Sequence, residues 1–359
     1  MARKRRGSPI HGWVVLDKPK GITSTQAVGR VRRLFDAEKA GHAGTLDPLA
    51  TGILAIALGE ATKTVSYVMD GTKLYRFTAR WGEARDTDDA EGRITATSSI
   101  RPSRAEILAQ LPNFIGEIMQ VPPAYSAIKV EGARAYDLAR EGEELFLEAR
   151  PIFIRDARLI DVPDEDHAVF EVECGKGSYI RAWVRDLALS LGTVGHVSEL
   201  RRLKVGPFSI ETAISLETLE GFGHSPAALE HLRPIATALD GIPALAVTEP
   251  DSVRLRSGNS VLIRAPQFSR LVAQQEGSTE TGADIQGLTV YLSTARGEPV
   301  ALAEVAQGEL ERAWDRRTCL SYFSCRHRLE SQRCGCILGA LHTLEHSLEP
   351  VCHSSESRH

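Results

Sequence analysis

The feature that most constrains the fold of this chain is a short stretch, residues 41–54, in which a rigid turn leads into an apolar run. It holds three glycines, one histidine and a single acid, Asp47, which Pro48 follows. The proline ring fixes its own φ and biases Asp47 toward an extended conformation, while the glycines permit tight turns. The apolar residues 53–58 predict a buried strand. The stretch therefore predicts a turn that presents one carboxylate beside a strand.

Considered alone, this turn has a structural explanation that is favoured over a catalytic one, because an aspartate in a turn often bonds its own backbone. Four further segments change that balance, since they follow one another along the chain with the Asp47 stretch among them. They are LDKPKGITS (16–24), KLYRF (73–77), VPPAYSAIKVEG (121–132, continuing to RAY at 134–136) and CGKGSYIR (174–181, continuing to LRR at 200–202).

Together with the Asp47 stretch, these segments resemble the TruB family of tRNA pseudouridine synthases. The resemblance is strong over residues 9–235 and weaker over 243–310. It implies a pseudouridine synthase fold of the α+β class, with a mixed, mostly antiparallel sheet, followed by a small β-rich PUA-like domain. It also implies an enzyme that isomerises uridine 55, in the T-loop of tRNA, to pseudouridine.

The resemblance also implies roles for particular side chains. Asp47 would be the covalent nucleophile, Arg181 the cation that keeps it ionised, and Tyr75 the ring that stacks on the flipped uracil near C5. Further residues expected to bind or support the substrate are His42, Tyr179, Leu200, Asp89, Lys18 and Lys20. For the two lysines, structural support and contact with phosphate both stay open, and either tyrosine could instead be a half-buried structural aromatic.

No cofactor or metal is expected, because the isomerisation needs no redox partner, phosphate donor or metal ion. The GKGS sequence at 175–178 lacks the glycine that a phosphate-binding loop requires five residues earlier, where Phe170 stands. Whether Asp47 attacks C6 of the base or C1′ of the sugar is not decided by the sequence.

Patterns along the chain agree with the α+β class. Residues 23–26 (TSTQ) fit a capping box that opens one helix, and Ser103 opens another. Other expected elements are strands at 12–16, 53–58, 168–174, 244–247, 260–263, 288–292 and 300–305, and a helix from 180 to 191 that ends at Gly192. Helices and strands alternate without a regular βαβ period, which favours α+β over α/β.

Three regions are expected along the chain. Residues 9–240 form the catalytic domain, and residues 241–310 form the PUA-like RNA-binding domain. Residues 311–359 form an atypical tail that holds five of the six cysteines. Their spacing fits no zinc pattern, so we expect a poorly ordered tail without a metal site.

Charge distribution points to an RNA partner although the net charge is −4. Residues 1–33 contain nine Lys or Arg and only one acid, Asp17, and such a basic surface can bind phosphates. For residues 1–6 a solvated, disordered tail is an equal alternative. No apolar run approaches the ~20 residues that span a membrane, so the cytoplasm is the expected location. The resemblance implies that the partner is the T stem-loop of tRNA, and we expect a monomer.

Two other functions stay open from the sequence. The chain could be a tRNA-folding chaperone whose catalysis is dispensable, or a synthase that acts on ribosomal RNA with a guide RNA. The presence of Asp47, Tyr75 and Arg181 together favours catalysis, and the compactness of the chain favours the stand-alone tRNA enzyme.

Overall fold

The computed structural model describes residues 7–126, 129–130, 133–134, 147–275, 287–306 and 309–312. The helices there are α1 (Ser24–Leu34), α2 (Val65–Asp70), α3 (Arg104–Gln110), α4 (Ile180–Ser190), α5 (Leu216–Gly221), α6 (Glu249–Arg256) and α7 (Ala265–Gln275). Short 3-10 turns lie at Gly59–Lys63, Leu111–Phe114, Ile210–Thr212, Pro226–His231 and Ile235–Leu239.

The strands up to residue 205 are β1 (Gly12–Lys18), β2 (Ala40–His42), β3 (Thr51–Leu58), β4 (Lys73–Trp81), β5 (Glu83–Arg85), β6 (Ile94–Thr97), β7 (Gly116–Gln120), β8 (Lys129–Val130), β9 (Ala133–Arg134), β10 (Arg150–Asp164), β11 (His167–Cys174) and β12 (Gly195–Val205). Those that follow are β13 (Phe208–Ser209), β14 (Ile214–Ser215), β15 (Leu232–Arg233), β16 (Ala244–Val247), β17 (Val261–Leu262), β18 (Thr289–Thr294), β19 (Pro299–Ala306) and β20 (Glu309–Arg312).

An 11-stranded sheet forms the centre of the described structure. Its main order is β14-β1-β3-β12-β4-β11-β10-β7; in addition, β2 pairs with β3, β13 with β12 and β15 with β1. β1 with β14 and β3 with β12 are parallel, whereas the other pairs in this sheet are antiparallel. The predicted α+β class with a mixed, mostly antiparallel sheet is therefore confirmed.

The sheet is apolar on both faces at β1 and β3. Val14 and Leu16 point into one core that also takes side chains from α1 and α4. The intervening Trp13 and Val15 point into a second core on the opposite face. Because side chains alternate along a strand, a strand that is buried on both faces must be apolar at successive positions, as residues 53–58 are.

A second sheet follows in the chain, with the order β16-β18-β19-β20-β17. It has its own core, which includes Leu255 from α6 and Leu271 from α7. The side chains of Tyr291 in β18 and Leu302 in β19 pack into the core around Trp13, so the two sheets share an apolar contact. The sequence predicted strands β16 to β19 but neither α6 nor α7.

Local signals in the sequence set several boundaries. Thr23 caps α1 with the predicted capping box, in which its side chain accepts from Gln26 N and the Gln26 side chain accepts from Thr23 N. Ser103 caps α3 in the same way. Glu311 and Arg312, the first two residues of the expected tail, belong to β20. Residues 313–359, including the five tail cysteines, lie outside the described residues. Within the described part, no helix is both long and apolar enough to cross a membrane.

Candidate active site

The loop that carries Asp47 joins β2 to β3, and hydrogen bonds hold it on both sides of the aspartate. The Ser24 hydroxyl, at the start of α1, accepts from Leu46 N at 2.8 Å and lies 3.0 Å from Leu46 O. On the other side, Gly21 N donates to Pro48 O at 2.8 Å. The Asp47 side chain itself is 37% exposed, so a fixed backbone presents an accessible carboxylate.

Lys18 reinforces the same loop from beneath. Its side chain is buried, and Nζ donates to Pro19 O at 2.9 Å, Ile22 O at 2.8 Å and Pro48 O at 3.4 Å. Burial lowers the pKa of Lys18 to about 8, against the opposing effect of the nearby Asp47 charge. These three partners of Lys18 Nζ are thus backbone carbonyls of this region of the chain, whereas Lys20 is exposed.

Arg202 holds the loop from the opposite side. It is buried, and its guanidinium donates to Ile53 O at 2.7 Å, Gly44 O at 3.0 Å and Thr45 O at 3.5 Å. The strand beside it approaches so closely that a Cβ on Gly52 would lie 2.2 Å from Arg202 O, and Gly52 has φ +93°. Only glycine fits there. The sequence placed Arg202 in a family-like segment but assigned it no role.

Arg181 is the group that touches the Asp47 carboxylate. It lies in the first turn of α4 and is 5% exposed, and its Nε is 2.9 Å from Asp47 Oδ2. Its two remaining nitrogens donate to Thr87 O at 2.7 Å and Tyr125 O at 2.8 Å. Every nitrogen of the guanidinium is therefore engaged, which fixes its direction, and its contact with Asp47 is a charge-assisted one.

Two loops meet at this arginine, and we name them by their composition. The acidic turn is residues 86–92 (DTDDAEG), and the proline segment is residues 121–126 (VPPAYS). Asp89 in the acidic turn is buried and accepts from Thr87 Oγ1 at 2.6 Å and Glu91 N at 3.0 Å. Its other oxygen lies 3.7 Å from Arg181 Nε. Two carboxylates, Asp47 and Asp89, thus share one cation.

Tyr75 and His42 both lie beside Arg202. Burial raises the pKa of Tyr75, and the charge of Arg202 and a hydrogen bond with it oppose that rise. Burial and the same charge lower the pKa of His42, which favours a neutral ring. The Nδ1 atom of His42 is buried with no hydrogen-bond partner among the described residues, so the ring has an unused polar atom.

The remaining two candidates are Tyr179 and Leu200. Tyr179 immediately precedes α4, and Gln120 holds it by accepting from Tyr179 N at 2.9 Å and donating to Tyr179 O at 3.2 Å. Burial raises the pKa of the Tyr179 phenol. Leu200 is 8% exposed, and its carbonyl lies 3.4 Å from the Thr51 hydroxyl at the end of the Asp47 loop.

The structure thus brings Asp47, Arg181 and Asp89 into direct contact range and places Tyr75 and Tyr179 within electrostatic reach of Asp47. Lys20 lies at the exposed edge. Sequence reasoning missed the roles of Arg202 and Gln120. In the part of the chain that is described, no group of three or more His, Cys, Asp or Glu side chains is arranged to hold a metal ion.

Comparison with known proteins decides the family. Residues 32–180 match the N-terminal domain of TruB family pseudouridylate synthases, and residues 181–240 match the C-terminal domain of tRNA pseudouridylate synthase B. A protein named tRNA pseudouridine synthase B from Bradyrhizobium diazoefficiens is 55% identical over 312 residues, which cover 86% of each chain. One of that name from Caulobacter vibrioides is 52% identical over 86% of this chain and 97% of its own.

This chain belongs to the TruB family of pseudouridine synthases. The resemblance inferred from the five segments is therefore confirmed. Among solved structures, a Cbf5-Nop10-Gar1 complex contains a chain that is 25% identical, with a TM-score of 0.60 over 82% of this chain and 78% of that one. An H/ACA RNP bound to a substrate RNA containing 2′-deoxyuridine gives 20% identity and a TM-score of 0.63 over 90% and 92%. These likenesses confirm the pseudouridine synthase fold.

Proposed function

We propose that this TruB family chain isomerises uridine 55 in the T-loop of tRNA to pseudouridine, with Asp47 as the nucleophile. The observation that carries the proposal is the contact between a 37%-exposed Asp47 carboxylate and the buried Arg181, 2.9 Å away. Curated relatives that align with 86% of the chain are named tRNA pseudouridine synthase B. The names of these relatives support the pseudouridine-forming reaction, and the contact with Arg181 supports Asp47 as the nucleophile.

The chemistry requires one covalent nucleophile and no net redox change. The Asp47 carboxylate attacks C6 of the uracil or C1′ of the ribose, and the N1–C1′ bond breaks. The uracil turns, C5 bonds to C1′, the proton on C5 leaves and the bond to Asp47 is released. Arg181 pairs with the Asp47 carboxylate before the attack and fixes the direction in which its oxygen points.

The target base must leave its stack to reach Asp47. We assign Tyr75 to stack on the flipped uracil, and Tyr179 and Leu200 to line its pocket. His42, a neutral ring with an unused Nδ1, occupies the space that the rearranged loop bases vacate. Because burial raises the pKa of Tyr75, its phenol is protonated at neutral pH. This favours a stacking role for the ring over a role of the hydroxyl as a general base.

Binding energy outside the pocket comes from contacts with phosphates. The exposed Lys20 and the arginines of α1 supply part of it, and the second sheet, which we take to be PUA-like, supplies another part. Residues 9–240 are the catalytic domain in this scheme and residues 241–310 the RNA-binding domain. The enzyme acts as a monomer in the cytoplasm on the T stem-loop.

An unmodified tRNA transcript tests this function directly. Purified protein alone should form pseudouridine at position 55, detected by chemical mapping, and a transcript with cytidine at that position should give no product. Product that appears only after a guide RNA is added would favour the ribosomal RNA alternative. Accelerated tRNA folding without any pseudouridine would favour the chaperone alternative.

A further inference from the structure

Helix α4 carries a second arginine one turn beyond Arg181, and it holds the same two loops. Arg185 Nη1 donates to Asp88 Oδ2, in the acidic turn, at 2.9 Å. Its Nη2 donates to Val121 O, in the proline segment, at 2.7 Å. Residues four apart lie on one face of a helix, so two successive turns of α4 each bridge the acidic turn and the proline segment.

The backbone of the acidic turn directs Asp88 toward this arginine. Asp88 has φ +57°, a left-handed conformation that Asp and Asn adopt more readily than other non-glycine residues. Asp88 N donates to Arg85 O at 3.0 Å, and Asp88 O accepts from Val197 N at 3.1 Å. The turn is thus fastened to β12 by its backbone and to α4 by the Asp88 carboxylate.

A short chain of contacts links Asp88 to the nucleophile Asp47. Its neighbours in the turn are Thr87, whose carbonyl accepts from Arg181 at 2.7 Å, and Asp89, whose carboxylate lies 3.7 Å from Arg181 Nε. Arg181 in turn holds Asp47 at 2.9 Å. A shift of the acidic turn therefore changes two of the contacts that orient the arginine beside Asp47.

We propose that the ion pair between Asp88 and Arg185 positions the acidic turn, and through it Arg181 against Asp47, for the isomerisation. Asp88 and Arg185 are positioning residues that act through Arg181 and do not touch the substrate. This inference rests on the function proposed above, because it concerns the rate of that reaction.

The electrostatics of Asp88 argue against a role in stability alone. Burial raises the pKa of the Asp88 carboxyl from its ordinary value of 3.8 to about 6; the charges of Arg185 and Arg181 oppose that rise, and the charge of Asp186 adds to it. A carboxyl whose folded pKa is raised stabilises the fold at acidic pH, and that contribution is lost as pH rises through about 6. At neutral pH the folded chain thus retains a charge that does not favour folding.

Variants of the full chain test the inference in single-turnover assays on the unmodified tRNA transcript. Asp88→Asn removes the charge, keeps the shape and tolerates the left-handed backbone. Arg185→Gln removes the other partner, and Arg185→Lys restores a charge. Asp186→Asn is the matched control, because it removes the other carboxylate that pairs with Arg185, one that lies in α4 itself and whose Oδ1 accepts from Arg185 Nε at 2.9 Å.

We expect Asp88→Asn and Arg185→Gln to lower the rate at saturating tRNA about tenfold, less than the ~100-fold that a 1 Å misplacement can cost. KM and tRNA affinity should stay within about twofold. Arg185→Lys should recover part of the rate, Asp186→Asn should match the unmodified chain, and the Tm of Asp88→Asn at pH 7.5 should not fall.

The pH profile gives a readout that a structural role would not move. The rate of the unmodified chain should fall as pH drops through about 6, where Asp88 takes up a proton, and Asp88→Asn should lack that step. Asp89 and Glu91 in the same turn, and Arg181, Arg185 and Asp186 in α4, are unchanged in this comparison.

Two results would overturn the inference. One is an unchanged rate and pH profile in Asp88→Asn, and the other is a rate loss that follows a fall in Tm or is equalled by Asp186→Asn. Absence of pseudouridine with the unmodified chain would instead overturn the proposed function, so the two failures are distinguishable.

Discussion

Two buried arginines hold the Asp47 loop, and they do so with opposite partners. Arg202 donates to the backbone carbonyls of Gly44, Thr45 and Ile53. Arg181 donates to carbonyls of two other loops but also to the Asp47 carboxylate itself. One arginine therefore maintains the shape of the loop, and the other also pairs with its reactive carboxylate and orients it. Within one site, Arg202 thus serves the stability of the loop and Arg181 serves its chemistry.

Asp47→Asn has the largest expected effect and tests the chemical side of the comparison. The substitution keeps the size of the side chain and removes both the charge and the nucleophilic oxygen. We expect turnover to fall by at least about 1,000-fold, with tRNA affinity largely retained. Single-turnover assays and filter binding measure the two quantities. Turnover within tenfold of the unmodified chain would rule out the covalent role.

Arg202→Gln tests the structural side. Removal of a buried charge that satisfies loop carbonyls should lower the free energy of unfolding by about 3–5 kcal/mol, measured by urea denaturation. Arg181→Gln is the matched comparison, and it should lower the single-turnover rate about 100-fold because a donor at the reacting carboxylate is lost. Equal losses of rate per unit of stability in both variants would remove the distinction between the two arginines.

Tyr75 lies beside Arg202, and substitutions of Tyr75 should change activity less than those of the two arginines. If the ring only stacks on the flipped base, Tyr75→Phe should keep most of the activity, within about tenfold, and Tyr75→Leu should lose more. The raised pKa of the phenol supports stacking. Release of tritium from C5 of the uracil measures the proton step. A Phe variant that stalls before tritium release would show that the hydroxyl carries the C5 proton.

Substitution of the exposed arginines of α1 has the smallest expected effect, and it concerns tRNA binding and not the Asp47 loop. Arg30 lies 3.6 Å from Glu220, and its side chain is 44% exposed, while Arg33 is also exposed. Their joint change to Ala should weaken tRNA binding and reduce the salt dependence by about one phosphate contact. The single-turnover rate at saturating tRNA should barely change. An unchanged salt slope would exclude this surface from RNA binding.

Local signals predicted much of the fold. The capping box at Thr23 acts through hydrogen bonds between residues three apart, so the start of α1 could be inferred from four letters. The helix expected at 180–191 is observed as Ile180–Ser190. Helices α6 and α7 were not predicted, since α6 in particular shows little apolar periodicity and is defined by packing of Leu255 into the second core.

The roles within the site followed the resemblance where the resemblance named a side chain, and were missed elsewhere. Arg202 stands in a segment that the family shares, yet nothing in LRR shows that this arginine is buried beneath a loop about 150 positions earlier in the chain. For Lys18, the sequence left phosphate contact and structural support both open, and only the structure shows that its three partners are backbone carbonyls.

By itself, the sequence determined many of the helices and strands, the strands that are buried on both faces and the turn that presents Asp47, because caps, proline and side-chain alternation act over a few residues. Only the tertiary structure decided that Arg181 meets Asp47 and Asp89 while Arg202 meets the loop backbone. Those contacts join residues far apart in the chain. They depend on the order and register in which the strands of the central sheet pair, which no local preference specifies.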